Sequence, residues 1–223
     1  MYQYTFFPDF GNFMFLHYKN IMDGSSPNST ISYPLSRENS RIDVGNHLNL
    51  TIIAQIPPGK QSGAKLFVSE APGRKYKNVC RSLTEDLEYL KFCQVKVIVC
   101  LLEWSELNKL NLADYPNRAQ GHNFIFYHFP IAIGKTGKFR ENFAITSCII
   151  KHLGQGDNVL VHCREGLCRA AVICACCLTH YKYNSDAAIH AIRQRRKGSI
   201  QNDIYENCVH NYYDNIKKKC RTM

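Results

Sequence analysis

No apolar run in this 223-residue sequence is long enough to cross a membrane, since a spanning helix takes about 20 consecutive apolar residues. The N-terminus also lacks a positive segment followed by a continuous apolar core, so no secretory signal is expected. Acid is scarce: 18 Asp and Glu face 28 Lys and Arg, a formal charge of +10. Of these, nine basic and only four acidic residues fall after Tyr181. A surplus of that sign attracts phosphorylated or acidic partners within a Debye length of about 8–10 Å, though an ordinary solvated surface has the same composition. Cysteine, by contrast, is plentiful at eleven residues. Cys163, Cys168, Cys174, Cys176 and Cys177 crowd one loop and the apolar helix after it. That placement fits reduced thiols of an intracellular, cytoplasmic protein better than a disulfide framework. Zinc is not expected, because the last three belong to a helix that should be core.

Regular patterning is missing from residues 1–47. Turn-forming and polar residues cluster from Asp23 to Ser40, and the stretch reads as an arm or irregular loop. A domain is expected from Leu48 to Ile216, followed by a basic tail over 217–223. Leu48–Ile56, Ala64–Val68, Val95–Leu101 and Phe124–Tyr127 read as strands. Ser82 with Glu85 three places on forms a capping box for a helix whose Leu83, Leu87 and Leu90 share a face. Phe139, Phe143, Ile150 and Leu153 mark a second helix, and others are expected near 169–181, 185–196 and 203–216. Strands alternating with helices imply an α/β fold with a central, mostly parallel sheet flanked by helices. In such folds the site lies at the carboxyl ends of the strands.

One stretch carries chemistry. Val159-Leu160-Val161-His162 is an apolar strand; Cys163-Arg164-Glu165-Gly166-Leu167-Cys168 is a tight loop; Arg169 opens a helix. A loop whose N–H groups converge at a helix N-terminus attracts an anion. The same field should favour the thiolate of Cys163. Arg169 can grip two phosphoryl oxygens, and Gly166 lets the loop turn. A thiolate in a phosphate cradle makes a cysteinyl phosphate.

His162-Cys163-x5-Arg169 after an apolar strand resembles the signature of the cysteine-dependent protein phosphatases, and its small dual-specificity branch in particular. The stretches Ala71–Leu90, Val97–Val99 and Glu106-Leu107 are similar to the kinase-associated phosphatase (cyclin-dependent kinase inhibitor 3) family. Gly166–Ala170 and Ile192–Gly198 look more like the phosphatases of regenerating liver. The resemblance implies a tyrosine or dual-specificity phosphatase acting on phosphoproteins. Cys163 is then the nucleophile, and Arg164, Glu165, Gly166, Leu167, Cys168 and Arg169 bind phosphate. His162 orients the loop, and Gln201 places the hydrolytic water. Neither metal nor cofactor is expected, since the loop and Arg169 supply the charge stabilisation.

Two positions depart from that pattern. Relatives carry Pro-Ile-x-Asp, whose Asp protonates the leaving oxygen; here Pro130-Ile131-Ala132-Ile133 puts Ile133 in its place. General acid catalysis contributes ~10²–10⁴-fold, so poor leaving groups should turn over slowly. Asp114, Glu103 and Glu141 are candidate substitutes. Ala170 lacks the hydroxyl that usually helps the thiolate leave. Two alternatives stay open: a pseudophosphatase that holds phosphorylated partners without turnover, and an RNA 5′-phosphatase. The latter is disfavoured because its members carry Asn-Arg-Thr where this chain has Cys168-Arg169-Ala170, and nucleic acid is not the expected partner. Cys100 or Cys168 could form a reversible disulfide with Cys163. Finally, Cys220-Arg221-Thr222-Met223 behind Lys217–Lys219 fits a prenylation box with a polybasic patch, although Arg221 and Thr222 are not aliphatic. Prenylation would bring membrane association.

Overall fold

The computed structural model describes residues 48–56, 63–76, 79–181 and 183–221. The readings placed on residues 1–47 and on the Cys220 side chain fall outside what it describes. Strands β1 (Thr51–Ile56), β2 (Ala64–Ser69), β5 (Val95–Cys100), β6 (Ile125–His128) and β7 (Asn158–His162) form one sheet in the order β1-β2-β7-β5-β6. β1 runs antiparallel to β2, and every other pairing in this sheet is parallel. A two-residue-per-strand hairpin, β3 (Lys75–Tyr76) with β4 (Val79–Cys80), stands apart.

Residue alternation along the strands feeds two separate cores, as a period of two requires when both faces are covered. Val97, Val99, Val159 and Val161 pack toward α4 (Phe139–Gly154), α5 (Arg169–Leu178), α6 (Ser185–Arg195) and α7 (Asp203–Arg221). Ile98, Cys100 and Leu160 face the other way, toward α1 (Leu83–Phe92), α2 (Trp104–Lys109) and α3 (Tyr115–Gly121). Helix α5 is buried at every one of its residues, Cys174, Cys176 and Cys177 included. All three thiols are free, and among the described residues no three metal-ligating side chains gather.

The mixed sheet flanked by helices is the architecture expected, and α1 starts where the capping box put it, with Glu85 N–H donating to Ser82 Oγ. The short helices α2 and α3 were not foreseen: six and seven residues carry too few turns to show a period. Helix α7 runs past Ile216 to Arg221, so Lys217–Lys219 stand on its last turns. There Lys217 Nζ lies 4.3 Å from the Tyr213 ring centre and Lys219 Nζ 4.6 Å from that of Phe143. Among the described residues no helix is long and apolar enough to cross a membrane.

Candidate active site

β7 sits between β2 and β5, with His162 opposite Ser69 on one side and Cys100 on the other. The loop Cys163–Cys168 therefore emerges at the carboxyl ends of three parallel strands and leads into the N-terminus of α5. Its carbonyls are tied from outside, one after another. Arg164 O accepts from Ala71 N–H at 3.2 Å, and Leu167 O from Ile200 N–H at 3.0 Å. Glu165 O accepts from Arg196 Nη2 and Gly166 O from Arg196 Nε, each at 3.0 Å. Cys168 O accepts from Val172 N–H within the helix turn. In a trans peptide the C=O and the following N–H point in opposite directions. Five pinned carbonyls thus turn the N–H groups of residues 165–169 to the other side, where Gly166 N–H meets Cys163 Sγ at 3.3 Å. Such a ring of donors at a helix N-terminus is an anion cradle built by constraints on its outer rim.

Two backbone features hold that shape. Gly166 adopts φ +70°, and a Cβ there would lie 2.3 Å from Ser69 O, so no other residue fits. Ile200 is left-handed as well, at φ +52°, an uncommon state for a β-branched residue. Its fully buried side chain and its bond to Leu167 O fix it. That contact brings the exposed Gln201 next to the loop.

Cys163 itself is buried, with only 3% of its surface exposed. Behind it His162 is fully buried, and its Nε2 lies 3.2 Å from the Tyr115 hydroxyl on α3. Burial drives the imidazole pKa down to about 3 against a smaller opposing hydrogen bond at the Cys163 backbone. The ring is therefore neutral, and serves as a packing and hydrogen-bonding block rather than a charge.

Arg169 is equally buried and lies against Glu106 of α2. Nη1 donates to Glu106 Oε2 at 2.6 Å and to Ile131 O at 2.8 Å, while Nη2 donates to Glu106 Oε1 at 2.8 Å. A guanidinium has five N–H groups. This pairing uses both on Nη1 and one on Nη2, which leaves Nε–H and the second Nη2–H as an adjacent pair on the other edge. The fork expected to grip phosphate is thus already half committed, and its remaining edge is aimed by the committed one. Burial raises the pKa of Glu106, but the hydrogen bonds from Arg169 and Glu103 N–H outweigh it and hold the carboxyl below its usual range. Burial likewise works against the Arg169 charge, and Glu106 outweighs it, raising the pKa. Glu106 is consequently a fixed anion, unsuited to giving up a proton.

The family model for cyclin-dependent kinase inhibitor 3 matches residues 61–192. The chain belongs to the cyclin-dependent kinase inhibitor 3 family. Human cyclin-dependent kinase inhibitor 3 is 30% identical over 148 residues, covering 65% of this chain and 70% of the human protein. The rat protein is 27% identical over the same shares of both chains. The crystal structure of kinase-associated phosphatase with its catalytic-site cysteine replaced by serine superimposes with a TM-score of 0.66 at 28% identity. That match covers 69% of this chain and 88% of that one. The family and the fold are those of cysteine-dependent tyrosine and dual-specificity protein phosphatases.

Within that family frame, the structure brings Cys163, Gly166, Leu167, Cys168 and Arg169 into one loop with His162 behind it and Gln201 beside it. The Arg164 and Glu165 side chains are partly exposed and lie 3.7 Å apart. Ile133 is 53% exposed. Of its candidate replacements, Glu141 Oε2 accepts from Lys138 N–H at the start of α4, and Asp114 Oδ1 accepts from Asn117 Nδ2 on α3. Glu103 opens α2. All ten described cysteines are free. Cys100 is fully buried at the end of β5, where burial pushes its thiol up to about 12. The sequence reading assigned no role to Glu106, Tyr115 or Arg196. Glu106 and Arg196 lie in stretches that carry the family resemblance, and a buried Arg169 requires a buried anion somewhere.

Proposed function

We propose that this chain hydrolyses phosphate monoesters on proteins through a cysteinyl phosphate. The observation that carries the reading is the loop with every carbonyl from 164 to 168 engaged and its N–H groups turned the other way, around a buried cysteine. The Cys163 thiolate attacks phosphorus, the P–O bond to the leaving group breaks, and the leaving oxygen takes up a proton from solvent water. The loop amides and the free edge of Arg169 hold the three equatorial oxygens where charge is spread. Water, placed by Gln201, then attacks phosphorus, the S–P bond breaks, and phosphate departs to leave the thiolate. No metal or cofactor enters these steps.

With Ile133 in the acid position and Ala170 in place of a hydroxyl, both departures are unassisted. Turnover is therefore slow on poor leaving groups. The exposed Ile133 also supports a second reading, a pseudophosphatase that holds a phosphorylated protein without turnover. The names of the relatives make phosphorylated kinases the first substrates to try.

Phosphate release from an activated aryl phosphate and from a phosphotyrosine peptide, with the native chain and with Cys163→Ser, separates these readings. An activated aryl oxygen needs little protonation, so it tests the nucleophile apart from the acid. Cys163-dependent turnover of the aryl ester with at least tenfold slower turnover of the peptide is the expected result. Absence of both, with phosphopeptide still bound, leaves the binding protein.

A further inference from the structure

Among the described residues, four large apolar side chains stand exposed: Phe92, Trp104, Ile133 and Ile204. One such side chain alone is ordinary on a protein surface. Phe92 is of that kind, three residues ahead of β5 and so at the amino ends of the parallel strands. The other three lie at the carboxyl ends, where the Cys163 loop emerges, and they come from three different segments. Trp104 opens α2, Ile133 follows β6, and Ile204 is the second residue of α7.

Each of these segments is tied to the site by a backbone group. Leu101 N–H donates to His162 O at 3.0 Å, Ile131 O accepts from Arg169 Nη1 at 2.8 Å, and Ile200 N–H donates to Leu167 O at 3.0 Å. Trp104, Ile133 and Ile204 follow these anchors by three, two and four residues. With consecutive Cα atoms about 3.8 Å apart, none lies more than about 15 Å from its anchor. Trp104 is also held in place, its ring in T-shaped contact with His128 at 4.6 Å between centroids. Even so it is 45% exposed, against 53% for Ile133 and 62% for Ile204. Apolar surface left in water at three points around one opening gains free energy when an apolar group covers it. A phosphate that reaches Cys163 arrives at this same end of the sheet and carries its flanking groups to these side chains.

We propose that Trp104, Ile133 and Ile204 form an apolar collar, which selects phosphopeptides with apolar side chains beside the phosphorylated residue. This rests on the phosphoprotein reading above. An extended peptide advances about 3.3 Å per residue, so side chains one and two positions away span the distance from the loop to the collar.

Binding tests this without relying on turnover, and Trp104, the single tryptophan of the chain, reports on it directly. In the Cys163→Ser background, fluorescence anisotropy compares labelled, tryptophan-free phosphotyrosine peptides. One has leucine at the two positions on each side of the phosphotyrosine, the other serine. Removing about 60 Å² of apolar surface from water corresponds to about a tenfold gain in affinity, which is the advantage expected for leucine. Only the leucine peptide should shift Trp104 emission to shorter wavelength. Ile204→Ser, at the most exposed of the three positions, should cut the ratio to about threefold without asking the fold to accommodate anything. In Trp104→Gln/Ile204→Ser it should fall to about two or less. A ratio near one overturns the collar and leaves the phosphoprotein reading in place. So does a tenfold ratio that survives both variants or leaves Trp104 emission unmoved. A Trp104 shift on phosphatidylcholine vesicles, with none on either peptide, also overturns it and assigns the apolar side chains to a lipid surface. If binding does not depend on the phosphate, or no peptide binds, the phosphoprotein reading falls and takes the collar with it.

Discussion

Two segments meet at Arg169, and they are held very differently. The loop from Cys163 to Cys168 has each carbonyl from 164 to 168 engaged by a donor from another segment or from its own helix. The segment carrying Ile133 is anchored at Ile131, whose N–H donates to Leu101 O and whose carbonyl accepts from Arg169. Beyond it come an exposed isoleucine and two left-handed glycines, Gly134 at φ +74° and Gly137 at φ +69°. In the first segment the chain is constrained to present donors to an anion. In the second it is anchored through Ile131 and, on the proposed reading, carries Ile133 where a proton donor would stand. On the proposed function, holding phosphate and releasing it are served by these two separate pieces of structure.

The comparison is broken most severely by Gly166→Ala. An alanine Cβ must displace Ser69 O from 2.3 Å and adopt φ +70°, which costs about 3 kcal/mol or more. Aryl phosphate turnover should fall at least ~100-fold, because donors a fraction of an ångström out of place stabilise the transition state poorly. Thermal unfolding run beside the kinetics will show the lower Tm. A loop that tolerates alanine with turnover intact would mean that its shape is not set by these constraints.

Ile133→Asp sharpens the same comparison from the other side. Restoring a carboxylic acid should raise kcat on the phosphotyrosine peptide by about tenfold or more and leave the activated aryl ester little changed. Equal gains on both substrates would show that the residue acts on binding rather than on the leaving group.

The smallest effect concerns pH. Folded His162 has a pKa of about 3, whereas the unfolded imidazole titrates at its ordinary 6.5. Between these values the unfolded chain takes up a proton that the folded chain refuses, so stability is complete above about 6.5 and declines as pH falls. The decline approaches ~1.4 kcal/mol per pH unit for one group. Glu106, with its carboxyl held low, adds a further loss only below the ordinary carboxylate range. Urea midpoints at pH 7, 6 and 5 should show the first decline, and His162→Asn should make it shallower, with His128, whose pKa burial also lowers, supplying the rest.

The expected elements and the Cys163–Arg169 loop were legible because local patterns encode them. The apolar strand, the loop spacing and the helix that follows place Cys163 and Arg169 within seven consecutive residues. The supports were not legible for the opposite reason. Glu106 reaches Arg169 from 63 residues away, and Arg196 reaches Asn49 across 147. In the sequence Glu106 is one acid on a six-residue helix, and Arg196 is one base in a run of three cations. Only the fold reveals that the one neutralises a buried guanidinium and the other ties down two carbonyls. Helices α2 and α3 escaped notice because their identity rests on tertiary contacts such as Tyr115 against His162 rather than on period.

The Arg196 clamp has a consequence for how the molecule comes into being. It bonds the strand that opens the described domain to a loop more than a hundred residues later, through Asn49 O and Thr51 Oγ1 on one side and Glu165 O and Gly166 O on the other. Contacts of such long sequence separation form late, because the intervening chain must first lose its freedom. During synthesis Asn49 waits for Arg196, and until the two meet the loop lacks the grip that turns its amides toward the cysteine. An immature chain therefore carries Cys163 without the ring of amides around it, and the loop takes its shape only with the closing contacts of folding.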